Sequence, residues 1–475
     1  MMQRRTLFLS GMVLFGLICF PLTNSVKASL EMLNQTYGET TADYAFSLVA
    51  TSDGGFALAG STQPSTIELL LKPADFWLVK TDANGVVEWN RTYGGAGFDV
   101  AYSLVETSDG GFALAGYTGS FGAGSTDFWL VKTDAYGNMM WNRTYGGANG
   151  EVAFSLVETS DGGLALAGST SSFGAGHDDF WLVKTDAYGN MEWSQTYGGA
   201  NGDYAYSLVA TSDGGYAIAG FTSSFGVEFP DFWLVKTDAY GNMEWNHTYG
   251  GAKEDYARSL VETSDGGYAL AGDTKSFGAG YADFWLVKTD AYGNMMWNQT
   301  YGRAGYDVVY SLVETSDGGF ALAGYTDPYG VEYEDFWLVK TDMYGNMEWN
   351  QTYGGAGIDS ARSFVETSDG GFALAGSTDS FGAGDADFWL VKTDAYGNLE
   401  WSQTYGGAMP APEPTPTPEP TLTPEPTPTT APTPTTAPTP TPEPFPTTWI
   451  APAIGIAAIG GAVFLVYFKK IKKKT

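Results

Sequence analysis

The chain has 475 residues, among them 63 Gly, 15 Trp, 29 Tyr and 28 Phe, and a formal net charge of −31; so many aromatics with so much glycine suit strands and turns, and exclude a helical or a disordered body. A single cysteine, Cys19, excludes an intramolecular disulfide framework, and two histidines, His177 and His247, leave little for metal or acid–base chemistry of the usual kinds. Residues 29–409 carry 50 acidic and 15 basic side chains, a field that repels nucleic acid and anionic lipid and attracts cations or basic partners.

In chain order, Arg4 and Arg5 precede an apolar run from Leu7 to Leu22, and Val26-Lys27-Ala28 suits signal peptidase cleavage after Ala28. Residues 1–28 are therefore expected to be a signal peptide, with an uncleaved N-terminal anchor as the alternative. Either way the body would lie outside the cell.

The body, residues 29–409, is a repeat. DFWLVKTD begins at Asp75, Asp127, Asp179, Asp231, Asp283, Asp335 and Asp387, always 52 residues apart, a period that indicates a propeller or a solenoid. In the second copy SLVET (103–107) and FALAGYT (112–118) flank Ser-Asp-Gly-Gly, and DFWLVKTD (127–134) and MMWNRTY (139–145) flank Ala-Tyr-Gly-Asn. Both are short turns in which glycine supplies positive φ. Four strands joined in sequence make a meander, and seven meanders predict an all-β, seven-bladed β-propeller of 52-residue blades. Each copy places one Trp on its third strand and one on its fourth, expected to fill the wedge between blades. TYG occurs eight times, once more than seven junctions require, so Asn34–Gly38 and Gln403–Gly407 are expected to meet where the ring closes.

VETSDGGFALAGYT followed by DFWLVKTDAYGNMEWNQTYGG resembles the repeat of archaeal and bacterial secreted β-propeller proteins of unassigned activity, with a blade layout like that of quinoprotein-like and kelch-like propellers. The resemblance covers residues 37–407 and implies surface display and binding. It does not bring quinoprotein activity, because residues to hold a quinone and its calcium are missing from the sequence.

On such a ring the Ser-Asp-Gly-Gly and Ala-Tyr-Gly-Asn turns share one face, and the connections from second to third and from fourth to first strands share the other. Ser-Asp-Gly-Gly is the same in all seven copies and Ala-Tyr-Gly-Asn in five, with Ala-Asn-Gly-Val in copy one and Met-Tyr-Gly-Asn in copy six. The second set diverges: four copies read Ser-Phe-Gly-Ala-Gly, copy four has Val227, Glu228, Phe229 and Pro230, copy six has Val331, Glu332, Tyr333 and Glu334, and copy one carries Ile67, Leu69, Leu70 and Leu71. That face is the candidate binding surface. One carboxylate opens each first strand: Asp43, Asp99, Glu151, Asp203, Asp255, Asp307 and Asp359. These are expected near the channel mouth, either holding calcium or another hard cation or accepting hydrogen bonds from the turns they begin. Asn34, Asn90, Asn142, Asn246, Asn298 and Asn350 each open an Asn-x-Thr sequon. The last five follow the fourth-strand Trp and should point away from it, where a glycan fits.

Residues 410–448 are built from Pro, Thr and Glu and read as a semi-rigid polyproline II stalk, roughly 120 Å long if extended at about 3.1 Å per residue. Residues 449–468 carry no charge and have the length of one transmembrane helix; the lysines of residues 469–475 would stay in the cytoplasm. The expected whole is a single-pass membrane protein with a monomeric extracellular propeller that binds or adheres to a protein, glycan or cation-bridged partner. A passive component of the cell coat and a polysaccharide-acting enzyme are the alternatives, the enzyme disfavoured because neither histidine has a neighbouring nucleophile in a recognisable motif.

Overall fold

A computed structural model describes residues 41–63, 74–226, 228–327, 334–382 and 384–406. The expected signal peptide, the segment Asn34–Gly38, the stalk, the apolar span and the basic tail lie outside the described residues, as do most of the divergent loops of copies one and six.

The described residues form twenty-eight strands, four per copy, each copy an antiparallel meander. Copy two shows the pattern: Asp99–Glu106, Phe112–Thr118, Asp127–Thr133 and Met139–Tyr145 pair in that order. The two hairpins turn where glycine was expected, at Gly110 (φ 81°) and Gly137 (φ 73°). Second and third strands are buried along nearly their whole length because both of their faces meet another blade. The fourth strand, on the outside, is exposed or half-buried along most of its length and ends in the buried Tyr145.

The same set of side chains repeats between blades. Ala57, Ala59, Phe76, Leu78 and Tyr93 of the first blade pack on Ala101, Leu104, Phe112, Leu114, Trp129 and Val131 of the second. Third-strand Trp rings are buried and tilt onto the Phe of the preceding blade, Trp129 on Phe76 with ring centroids 4.5 Å apart. Fourth-strand Trp rings are half-buried and cover the next blade edge-on, Trp89 against Phe112 at 5.8 Å. Burying a ring such as Phe76 contributes roughly 2–3 kcal/mol.

The seam between the last and first blades repeats these contacts. Ala373, Ala375, Phe388, Leu390 and Tyr405 pack on Ala45, Leu48, Phe56, Leu58, Trp77 and Val79. Thr41 and Ala42 pair in parallel with Gly384 and Ala386, and the Leu48 amide donates to Ser363 Oγ (3.1 Å) as the Leu104 amide does to Ser47 Oγ (3.1 Å). The meanders thus close on themselves as a β-propeller with first strands innermost.

On the face of the short turns, the repeat lysine of each third strand is buried and paired with the turn aspartate of its own blade, Lys80 with Asp53 at 2.8 Å and Lys132 with Asp109 at 2.9 Å. A second device joins neighbouring blades there. Ser52 donates its amide (2.8 Å) and hydroxyl (2.7 Å) to Glu106, which ends the next blade's first strand. Glu158, Glu262, Glu314 and Glu366 receive the same pair of bonds. First strands one and four end in Ala50 and Ala210 instead.

Candidate functional site

Each first strand carries a β-bulge. The register with the second strand shifts between Ala45 and Ser47, and at the corresponding place in the other six blades. The extra residues are Phe46, Tyr102, Phe154, Tyr206, Arg258, Tyr310 and Arg362. A bulge leaves one residue out of the ladder and re-aims its side chain. The opposing second-strand position is glycine throughout because there is no room for more: a Cβ on Gly60 would lie 1.9 Å from the Tyr44 carbonyl oxygen.

These seven side chains, one from every blade, together line a single cavity of about 210 Å³. Phe46, Tyr102, Phe154 and Tyr206 follow one another at ring separations of 4.9, 5.1 and 5.0 Å. Arg258 continues the series, its guanidinium 5.6 Å from the Tyr206 ring and 5.1 Å from that of Tyr310. Arg362 also lies over the Tyr310 ring, at 4.0 Å. Burial pushes the Tyr102 hydroxyl up to about 12, so it stays a donor at neutral pH.

The two arginines differ in their partners. Arg258 Nε donates to Asp273 Oδ1 at 2.7 Å. Asp273 stands in the second strand opposite Tyr256; the corresponding residue of blade seven, opposite Ser360, is Ser377. Among the described residues, Arg362 accordingly has no carboxylate within ion-pairing distance. A strongly acidic body thus places two of its few cations in the axial pocket, Arg258 ion-paired and Arg362 without a direct ion pair among the described residues, though near enough to Glu334 to favour that residue's ionised form.

The seven first-strand acids stand elsewhere. All are fully buried, and they accept hydrogen bonds from the connections that flank them: Asp99 from the Gly95 amide (3.0 Å) and Ser120 Oγ (2.6 Å), Glu151 from the Gly147 amide (2.8 Å), Asp255 from the Gly251 amide (2.9 Å) and Ser276 Oγ (2.8 Å), Asp359 from the Gly355 amide (2.8 Å) and Ser380 Oγ (2.6 Å). Asp203 and Asp307 take the Thr222 and Thr326 hydroxyls, and Asp43 is buried at the same place in blade one. They thus accept from the turns that flank them, with Oδ1 of Asp99 and of Asp359 buried without a hydrogen-bond partner among the described residues. Among the described residues no three His, Cys, Asp or Glu side chains group so as to hold a metal ion.

At the junctions from blade two to blade seven such an acid lies close to the aspartate that opens the preceding third strand. A Cβ on Gly198 would lie 1.7 Å from Asp179 Oδ1 and 2.8 Å from Asp203 Oδ2, so only glycine fits between them. Burial, with Asp203 adding repulsion, raises the Asp179 carboxyl above the ordinary carboxylate range; burial and Asp359 do the same to Asp335.

Of the sequon residues, Asn34 lies outside the described residues. The others point away from the adjacent Trp, as alternation requires, and accept the third-strand indole N–H through Oδ1, at 3.4 Å for Asn90, 3.3 Å for Asn142, 3.1 Å for Asn246, 3.0 Å for Asn298 and 3.1 Å for Asn350. His177 is exposed in a loop, and His247 on a fourth strand contacts the Tyr292 carbonyl oxygen through Nε2 (3.0 Å). In copy four Glu228 adopts φ 58°, a left-handed conformation in the divergent loop.

No family model matches the chain. It is 28% identical over 254 residues to the regulatory protein FlaEY of Caulobacter vibrioides, a match over 48% of this chain and 24% of that protein. Similar solved structures include Sqt1 from Chaetomium thermophilum (12% identity, TM-score 0.45, 79% of this chain and 91% of that one) and the Pan2 WD40 domain of Neurospora crassa (12% identity, TM-score 0.35, 60% and 94%).

Proposed function

We propose that the chain is a non-catalytic binding module displayed outside the cell, with the loop-bearing end of the ring as its working surface. The observation that carries this reading is where near-identical copies differ. The short-turn face repeats its Lys–Asp pairs in every blade, whereas the loops at the opposite face and the bulge position vary from blade to blade. A scaffold kept regular beneath one diverse end is the arrangement expected of a recognition surface. The proposed signal peptide, stalk and apolar span would hold the ring at the cell surface, where many copies bind a protein or glycan weakly per site and gain by avidity.

The test is a protein and glycan array probed with the full-length protein and with a variant in which residues 227–230 are replaced by Ala-Gly-Ser-Thr, the same-length stretch of copy two. A partner retained by the first and lost or weakened with the second supports the reading. Identical binding by both, or silence with both, favours the passive coat component.

A further inference from the structure

We propose that the axial pocket is a ligand site for a small carboxylate carried on a six-membered ring, with Arg362 receiving the carboxylate. Three independent observations converge on it. The pocket is built by one bulged residue from every blade, and bulges re-aim side chains at the cost of local pairing. Its wall is aromatic through Phe46, Tyr102, Phe154, Tyr206 and Tyr310, which suits the flat face of a ring. Two arginines from the same strand position enter it inside an acidic body, and of these Arg258 is ion-paired with Asp273 whereas Arg362 has no direct ion pair among the described residues.

The difference between those arginines assigns their roles. Arg258 is held by Asp273 and braces the wall between Tyr206 and Tyr310. In blade seven Ser377 stands at the strand position that Asp273 holds in blade five, so the Arg362 guanidinium is positioned by stacking on Tyr310 and left able to accept an anion. A planar guanidinium presents paired N–H donors that match a carboxylate. The neighbouring tyrosine hydroxyls add donors for substituents on the ring. At about 210 Å³ the cavity suits one ring and not a polymer threaded through it. The shared chemistry, a ring bearing one carboxylate, occurs in uronic acid sugars and in aromatic acids.

The proposal is separable from the loop surface, since a chain could bind a macromolecule through its loops with the pocket idle. Isothermal titration of the full-length protein with glucuronate, benzoate and glucose tests it, using wild type, Arg362→Gln, Ser377→Asp and, as a control away from the pocket, Arg91→Gln. Wild type and the Arg91 variant are expected to bind at least one of the two acids and not glucose. Arg362→Gln should weaken binding roughly tenfold or more, the effect of losing a charged pair of hydrogen bonds. Ser377→Asp recreates the Asp273 arrangement and should weaken it comparably while keeping every pocket-lining residue. Preference for glucuronate identifies a sugar acid, and preference for benzoate an aromatic acid. Binding of neither acid by wild type, or undiminished binding by both Arg362→Gln and Ser377→Asp, overturns the proposal. Melting curves of both variants guard against misfolding, and if Arg362→Gln fails to fold the Ser377→Asp result decides.

Discussion

The Tyr405 hydroxyl donates to the Gly85 carbonyl oxygen at 2.8 Å, joining residues 320 positions apart. It repeats at the seam the bond that Tyr93 makes to Gly137 (2.7 Å) and Tyr249 to Gly293 (2.6 Å) at internal junctions. The last copy of TYG therefore does the same work as the others.

Removing that hydroxyl should cost what it costs elsewhere. Tyr405→Phe and Tyr249→Phe are each expected to lose about 1–2 kcal/mol, because a buried carbonyl is left without its donor. Chemical denaturation of the two variants measures this. A loss at residue 249 with none at residue 405 would mean that the seam is open in solution.

The blade-to-blade bonds to Glu106 and its counterparts have two gaps, where Ala50 and Ala210 follow Ser368 and Ser160 of the preceding blades. Ala50→Glu and Ala210→Glu are expected to complete the series and stabilise the ring by about 0.5 kcal/mol each, the modest value of exposed charged contacts. Thermal unfolding of the double variant checks it, and an unchanged or lower Tm refutes it.

Stability should peak in mild acid. For Asp179, Asp283, Asp307 and Asp335, burial raises the folded pKa, so the penalty on their ionised forms is present at neutral pH and is relieved as pH falls through those values. Asp53, Asp109, Asp213, Asp265 and Asp317 behave oppositely: burial works against ionisation, but hydrogen bonds from the repeat lysines and turn threonines prevail and hold them near about 2. Their contribution is complete above the ordinary carboxylate pKa and is lost as pH falls toward 2. Denaturation midpoints should rise from pH 7 into the range just above pH 4 and then drop. Asp179→Asn should flatten the rising limb; a steady fall from pH 7 would refute this account.

Peptide mass spectrometry of the native protein should find glycan on several of Asn90, Asn142, Asn246, Asn298 and Asn350. The sugar attaches to Nδ2, and Oδ1 can still accept the indole N–H, so modification need not disturb the Trp beneath. Unmodified peptides at all five positions would exclude it.

The period, the hairpin turns and the Trp pairs were legible because each repeats identically and obeys a local rule. The bulge residues were not, since strict alternation along DYAFS or DYARS conceals an extra residue, and only the second-strand glycine betrays the close approach. One signal was present: among nearly invariant copies, the residue after Asp-x-Ala or its equivalent reads Phe, Tyr, Phe, Tyr, Arg, Tyr, Arg. The burial of the first-strand acids was equally hidden, because the hydroxyls that engage them, such as Ser120 for Asp99, lie about twenty residues further along the chain.

The bulge also makes those seven positions permissive. Because Phe46 and its counterparts stand outside the ladder and beyond the interblade cores, they can be exchanged without repacking a blade, while the glycine opposite keeps the backbone bent whatever side chain is chosen. Duplication of one blade followed by drift at a single codon per copy would thus yield pores of different character on one frame, and a library varied at these seven sites alone is a direct route to new specificities.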